Sequence, residues 1–131
     1  MRTENIHLEM ERKEFEELAK KAFDQLPEVF KKKLENIDLT IEEEPDMEIV
    51  KALGLGVRGR LLGLYQGVPL KERTHYYGMV MPDKITLYKR NIERSCKSKD
   101  EVFAQIQHVI EHEIAHHFGI SDQRLKDIGT Y

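Results

Sequence analysis

The 131-residue chain has one cysteine, no tryptophan and only four prolines. A lone Cys96 excludes an intramolecular disulfide framework, leaves paired-cysteine zinc fingers without ligands, and suits a reducing compartment. Long apolar runs are missing as well: no segment approaches the length of a membrane-spanning helix, and the opening residues MRTENIHLEMERKEF lack the apolar stretch of a secretory signal. A cytoplasmic location without a membrane partner is expected. Positive charge is not in excess either. With a formal net charge of -3 and a pI near 6.1, the chain carries no overall field that would gather nucleic acid or anionic lipid, so no nucleic-acid partner is expected. The run Lys31, Lys32, Lys33 reads as a solvated helix face. Repeats and low-complexity segments are absent.

What is present suits a packed globular domain: 40% hydrophobic and 34% charged residues. A chain of this length closes around a single core, so residues 1–131 are read as one domain. Phe15, Leu18, Ala19, Ala22 and Phe23 recur at helical spacing and predict a helix over 11–23. Pro27 suits the start of a second, short helix through Leu34. Ile37, Leu39 and Ile41 alternate with polar residues, as in a half-buried strand. Between Glu42 and Arg60 the acids, Pro45 and three glycines interrupt any period, leaving a connection in which Met47 to Leu53 can form a turn or two of helix. Leu61 to Gly67 reads as a short strand ending in a turn, and Ile85 and Leu87 mark another strand after the Pro82-Asp83 turn signal. Ser98 and Glu101 form a capping-box pattern that opens a long helix, and Gly119 supplies its left-handed stop.

Near the end of that long helix lies HEIAHHFGISD. His112 and His116, four residues apart, are offset by about 40° around the helix and about 6 Å along it, so both imidazoles can reach one ion. Zinc accepts neutral imidazole nitrogens in tetrahedral geometry, although nickel, cobalt and manganese also take such donors. Glu113 projects about 100° away, beside a water at the ion rather than into the same coordination corner, which is the position of a general base. Two histidines alone make a weak site. Asp122 is the candidate third ligand, because Gly119 lets the chain turn sharply after the helix; alternatively, Ser121 and Asp122 cap a final helix over 123–128. At this chain's own histidine and glutamate frequencies, HExxH arises by accident with a chance of roughly 3%, and fixing Gly119 and Asp122 lowers it to about one in 10,000.

Other reactive side chains read as structural. His108 continues the four-residue series but lies about 12 Å along the helix from His116, too far to share its ion comfortably. His117 points to another face, as a polar cap or surface contact. His7 and His75 stand alone, Cys96 reads as a packed or surface thiol, and Tyr76, Tyr77 and Tyr88 read as packing residues beside strands.

HEIAHHFGISD resembles the HExxHxxGxxD signature of the minimal zincin-like metallopeptidases, small proteins with a matrix-metalloprotease-like domain. The order of DQLPEVF, NIDLTIEEEP, LLGLYQG, PDKITLYKRNIE and SDQRL is also similar to that family, from about residue 11 to residue 128. The resemblance implies an α+β zincin-like core, with a small twisted sheet between an N-terminal helix and the metal-binding helix. It implies His112, His116 and Asp122 as zinc ligands, Glu113 as catalytic acid and base, and a peptide or protein substrate. It further casts Lys84 to Lys89 as an edge strand that pairs with extended peptide.

Two other readings compete with peptide hydrolysis. One is a metal-stabilised binding or regulatory module without turnover. The other is a metal-dependent ribonuclease, since a small rRNA-maturation family resembles HGxxHxxGxDH. Glu113 occupies that motif's glycine position, the spacing after Gly119 is longer, and Gln123 replaces its final histidine, so the match is poorer. The oligomeric state is not legible in the sequence.

Overall fold

The computed structural model describes residues 8–54, 61–67 and 83–119. In chain order these form α1 (Arg12–Asp24), α2 (Glu28–Lys33), β1 (Ile37–Glu42), α3 (Met47–Ala52), β2 (Gly63–Gln66), β3 (Asp83–Tyr88), α4 (Lys89–Arg94) and α5 (Lys99–Phe118). The α+β class expected from the sequence is present. Asp122, His7, His75, Tyr76, Tyr77 and the alternative helix over 123–128 lie outside the described residues.

The first helix forms as its apolar spacing requires, with Phe15, Ala19 and Ala22 buried. Pro27 stands one position before α2, where its carbonyl accepts from the amides of Phe30 at 2.9 Å and Lys31 at 3.1 Å. Within the expected connection, Asp46 caps α3 by accepting from the Ile49 amide at 2.9 Å, which organises Met47–Ala52 despite the lack of a sustained period.

The described strands form one sheet in the order β1-β3-β2, with β1 parallel and β2 antiparallel to β3. Register places Leu39 beside Ile85 and Ile41 beside Leu87. These side chains share the face that meets the helices, since residues of β1 join Ala19 and Phe23 of α1 around one hollow and Gly63 of β2 abuts Val109 of α5. Phe15, Phe30, Ile85, Leu87, Ile92, Val102, Ile106, Ile110 and Ile114 are fully enclosed in the core. Each such side chain contributes about 1.5–3 kcal/mol relative to exposure, which is why α5 is held along most of its length.

This order corrects one expectation. Lys84 to Lys89 is not an edge: β3 is hydrogen-bonded on one side to β1 and on the other to β2, so its backbone groups are taken. Among the described residues the edges are β1 and β2. A sequence pattern of alternating residues reports which face is buried, and it does not report how many neighbours a strand has.

Helix α4 was not foreseen. KRNIER is mostly charged and polar, yet Lys89, Asn91, Ile92 and Glu93 are all buried. Lys89 and Glu93, one turn apart, form an ion pair of 2.9 Å. Glu93 Oε2 also accepts from the Met10 amide at 3.0 Å, which ties the segment before α1 to this helix. Asn91 Nδ2 donates to the Leu61 carbonyl at 2.7 Å, fixing the approach to β2.

The start of α5 matches its cap signal with one difference. Ser98 Oγ accepts from the Glu101 amide at 3.2 Å, while the Glu101 carboxylate accepts from the Lys97 amide at 2.8 Å, one residue before the cap. The helix ends on Gly119 with φ 70° and ψ 29°, the left-handed stop expected there.

The closest approach of sheet and helix depends on Gly63. A Cβ at this residue would lie 2.4 Å from Val109 Cγ1 and 3.2 Å from the Thr86 carbonyl oxygen. Val109 is short and branched, so it has little freedom to withdraw. Gly63→Ala should therefore lower unfolding free energy by about 1–3 kcal/mol in urea titrations, with Val109→Ala in the same chain recovering part of the loss. An unchanged midpoint would contradict this contact.

Candidate metal centre on the long helix

Helix α5 presents three histidines in a row. The rings of His108 and His112 stack with centroids 5.6 Å apart, and those of His112 and His116 lie 4.2 Å apart at a 59° tilt. His112 is half-buried, whereas His108 and His116 are exposed. The second pair meets the requirement set by the four-residue spacing: two imidazoles close enough to share one ion. Neutral imidazole nitrogens suit zinc, so the donors present fit that metal. Among the described residues no group of three His, Cys, Asp or Glu side chains could hold a metal ion, so a third protein ligand must come from elsewhere in the chain.

Glu113 is brought to the sheet. Its Oε1 accepts from the Tyr65 amide of β2 at 2.9 Å. Since Tyr65 sits on an edge strand, this carboxylate caps a backbone donor that the β2–β3 ladder does not use. A cavity of about 240 Å³ opens beside the pair, lined by Leu61, Leu62, Gly63, His108, Val109, His112 and Glu113. A larger hollow of about 440 Å³ lies between α1 and β1, and among the described residues Glu16, Lys20 and Asp24 are its charged lining groups and no histidine lines it. The smaller cavity is the one that His108, His112 and Glu113 border.

His117 does not join the histidine row. Its ring stacks on Tyr65, centroids 3.9 Å apart and planes within 20° of parallel. This agrees with the surface contact expected of it. The Tyr65 hydroxyl donates to Asp83 Oδ2 at 2.6 Å. Tyr65 was not singled out in the sequence, and Asp83 only as part of a turn signal. The four-residue step from Glu113 to His117 was visible there, but the residue that receives both comes from a distant strand.

Two groups away from the histidine row are shifted. Burial pushes the Tyr88 hydroxyl up to about 12, with the carboxylates of Glu42, Asp46 and Glu113 adding to it, so it stays protonated at neutral pH. Burial also raises the Cys96 thiol, which keeps it protonated and unreactive as a packed side chain.

The family model for zincin-like metallopeptidases matches residues 34–130, which include β1, β2, β3 and all of α5. The chain belongs to the zincin-like metallopeptidase family. Its matched span begins after α1, later than the resemblance in sequence order suggested. Among solved structures, a conserved hypothetical protein from Thermo thermophilus is 21% identical with a TM-score of 0.53, over 83% of this chain and 94% of that one. This likeness is one of fold. No curated protein matches the chain. No helix among the described residues is long and apolar enough to cross a membrane.

Glu111, just before the histidine pair, has its carboxyl pushed up to about 7 by burial. Its folded value lies above the ordinary 4.5, so the folded protein retains a proton that the unfolded chain has released. The associated stability is complete below about pH 4.5 and is lost as pH rises through about 7. Metal-free Glu111→Gln should show a shallower fall in thermal midpoint across that window than the metal-free wild type. Parallel curves would show that Glu111 burial does not govern the slope.

Proposed function

We propose that the protein is a zinc-dependent metallopeptidase in which His112, His116 and Asp122 hold the ion and Glu113 is the general base and acid. The observation that carries the reading is the pairing of two imidazoles 4.2 Å apart with a neighbouring carboxylate held at the edge of a cleft. Family membership supplies the reaction class. Asp122 enters through its place in HEIAHHFGISD, three residues after Gly119.

When bound, zinc would polarise the scissile carbonyl and make water at the site more acidic. Glu113 takes a proton from the attacking water as its oxygen bonds to the carbonyl carbon. The same carboxyl then passes that proton to the departing nitrogen as the C–N bond breaks, which regenerates the carboxylate. The Tyr65 amide restrains one carboxylate oxygen during this exchange and leaves the other available to water. An extended peptide would approach along β2, the edge strand beside α5, in place of the central β3. Leu61, Leu62 and Val109 give the adjoining cavity apolar walls. The buried free thiol of Cys96 suits a reducing setting such as the cytoplasm.

The test compares wild type with Glu113→Gln for metal content and for cleavage of pooled unstructured peptides and single-stranded RNA. Glutamine retains an oxygen for the Tyr65 amide, so the fold and bound metal should persist. Peptide turnover should drop about 100-fold to 10,000-fold, the range spanned by removal of a general base. Failure of both proteins to bind a divalent ion after reconstitution would sink the site. Metal binding without wild-type turnover on any substrate would favour a binding module, and RNA cleavage would favour the nuclease reading.

A second expectation separates the histidines. His116→Ala should abolish stoichiometric zinc binding, whereas His108→Ala should retain it, as measured by metal analysis after dialysis. Equal losses in the two variants would contradict the ligand assignment.

A further inference from the structure

Glu113 and His117 stand four residues apart on α5, so they share a helix face with an offset of about 40° and a separation of about 6 Å along the axis. Both meet one residue of the neighbouring strand. The Tyr65 amide donates to Glu113 at 2.9 Å, and the Tyr65 ring stacks on His117 at 3.9 Å. Tyr65 is itself anchored, since its hydroxyl donates to Asp83, the first residue of β3, at 2.6 Å. The edge of this stack is closed by Phe118, whose ring lies 6.4 Å from Tyr65 and 4.8 Å from His117 in T-shaped contacts.

The buried face of α5 sets its rotation coarsely, and two contacts one turn apart on a second face hold its last turns in height and rotation. His112 and His116 project about 100° around the helix from Glu113 and His117, so any roll that carried Glu113 from its amide would swing both imidazoles through the same angle. With side-chain tips about 6 Å from the axis, a 10° roll moves them by about 1 Å. A displacement of that size at a reacting group can cost about 100-fold in rate.

We infer that Tyr65 and His117 are positioning residues that hold the last turns of α5 in their final rotation, and through it the placing of Glu113 against the histidine pair. The consequence for turnover rests on the metallopeptidase reading. The clamp itself rests on the contacts between helix and strand.

The primary variant is His117→Ala, because His117 is exposed and its removal spares the core. Zinc-loaded His117→Ala should lose roughly tenfold to 100-fold in kcat on the pooled peptides, with KM within about twofold and zinc content unchanged. His117→Phe keeps a ring on Tyr65 and should restore kcat to within about fivefold of wild type. Combining Tyr65→Leu with His117→Ala should cost no more than the worse single change, because both disrupt one unit. Wild-type kcat in His117→Ala, or losses that multiply in the double variant, would overturn the positioning role.

A second readout does not need turnover. In amide nuclear magnetic resonance spectra, the Tyr65 resonance should move in both Glu113→Gln and His117→Ala. If it moves while wild type cleaves nothing, the peptidase reading fails and the clamp stands. An unmoved Tyr65 amide in both variants overturns the clamp whatever the turnover.

Discussion

A backbone amide of an edge strand donating to a helix carboxylate, Tyr65 to Glu113, is the contact on which the candidate site depends. It needs β2 to come unusually near α5, and that approach is permitted by the missing side chain at Gly63, where Val109 takes the space a Cβ would need. It also needs β2 to be an edge, since an interior strand would have spent this amide on a neighbour. The hydrophobic core supplies the force that holds the two elements together, and the glycine sets how near they come. A carboxylate, two imidazoles and a cleft then lie together on one stretch of α5.

The same economy of contacts explains the sheet's other edge. Along β1, Ile37, Leu39 and Ile41 turn toward α1, and Arg12 donates to the Ile41 carbonyl, so part of that edge is occupied from within the chain. Thr40 and Thr86 face each other on the opposite side at 3.0 Å, a polar bond between parallel neighbours. The segment before α1 is held separately, by the buried pair of Lys89 and Glu93 that receives the Met10 amide. Removing one partner of such a pair costs about 3–5 kcal/mol, because it leaves a buried charge without its opposite.

Legibility followed the range of the interactions. Helix α5 was readable from end to end, since Ser98, Glu101 and Gly119 act within a turn of their own positions. The same holds for α1, β1 and β3, whose apolar residues recur at a single period. Helix α4 escaped because Lys89, Asn91 and Glu93 look like surface residues until their distant partners are known. The central place of β3 and the meeting of Glu113 with Tyr65 escaped for a like reason: both are relations between segments far apart in the chain. His112, Glu113 and His116 were legible as a group because one helix carries all three. Gly119 was legible as the turn that follows them.

From Glu111 to Phe118 the long helix has no idle position. Glu111, Ile114 and Ala115 are buried, His112 and His116 face one another, Glu113 and His117 meet Tyr65, and Phe118 lies under the Lys33 ammonium at 4.6 Å. A helix usually keeps one stripe open to neutral change, and here that stripe closes over two turns. Substitutions in these residues cannot drift singly without disturbing core, site or strand. Changes compatible with this fold are therefore easier earlier in the helix, at exposed positions such as Asp100 and Ala104, while a change in the last two turns needs an answering change in what it touches.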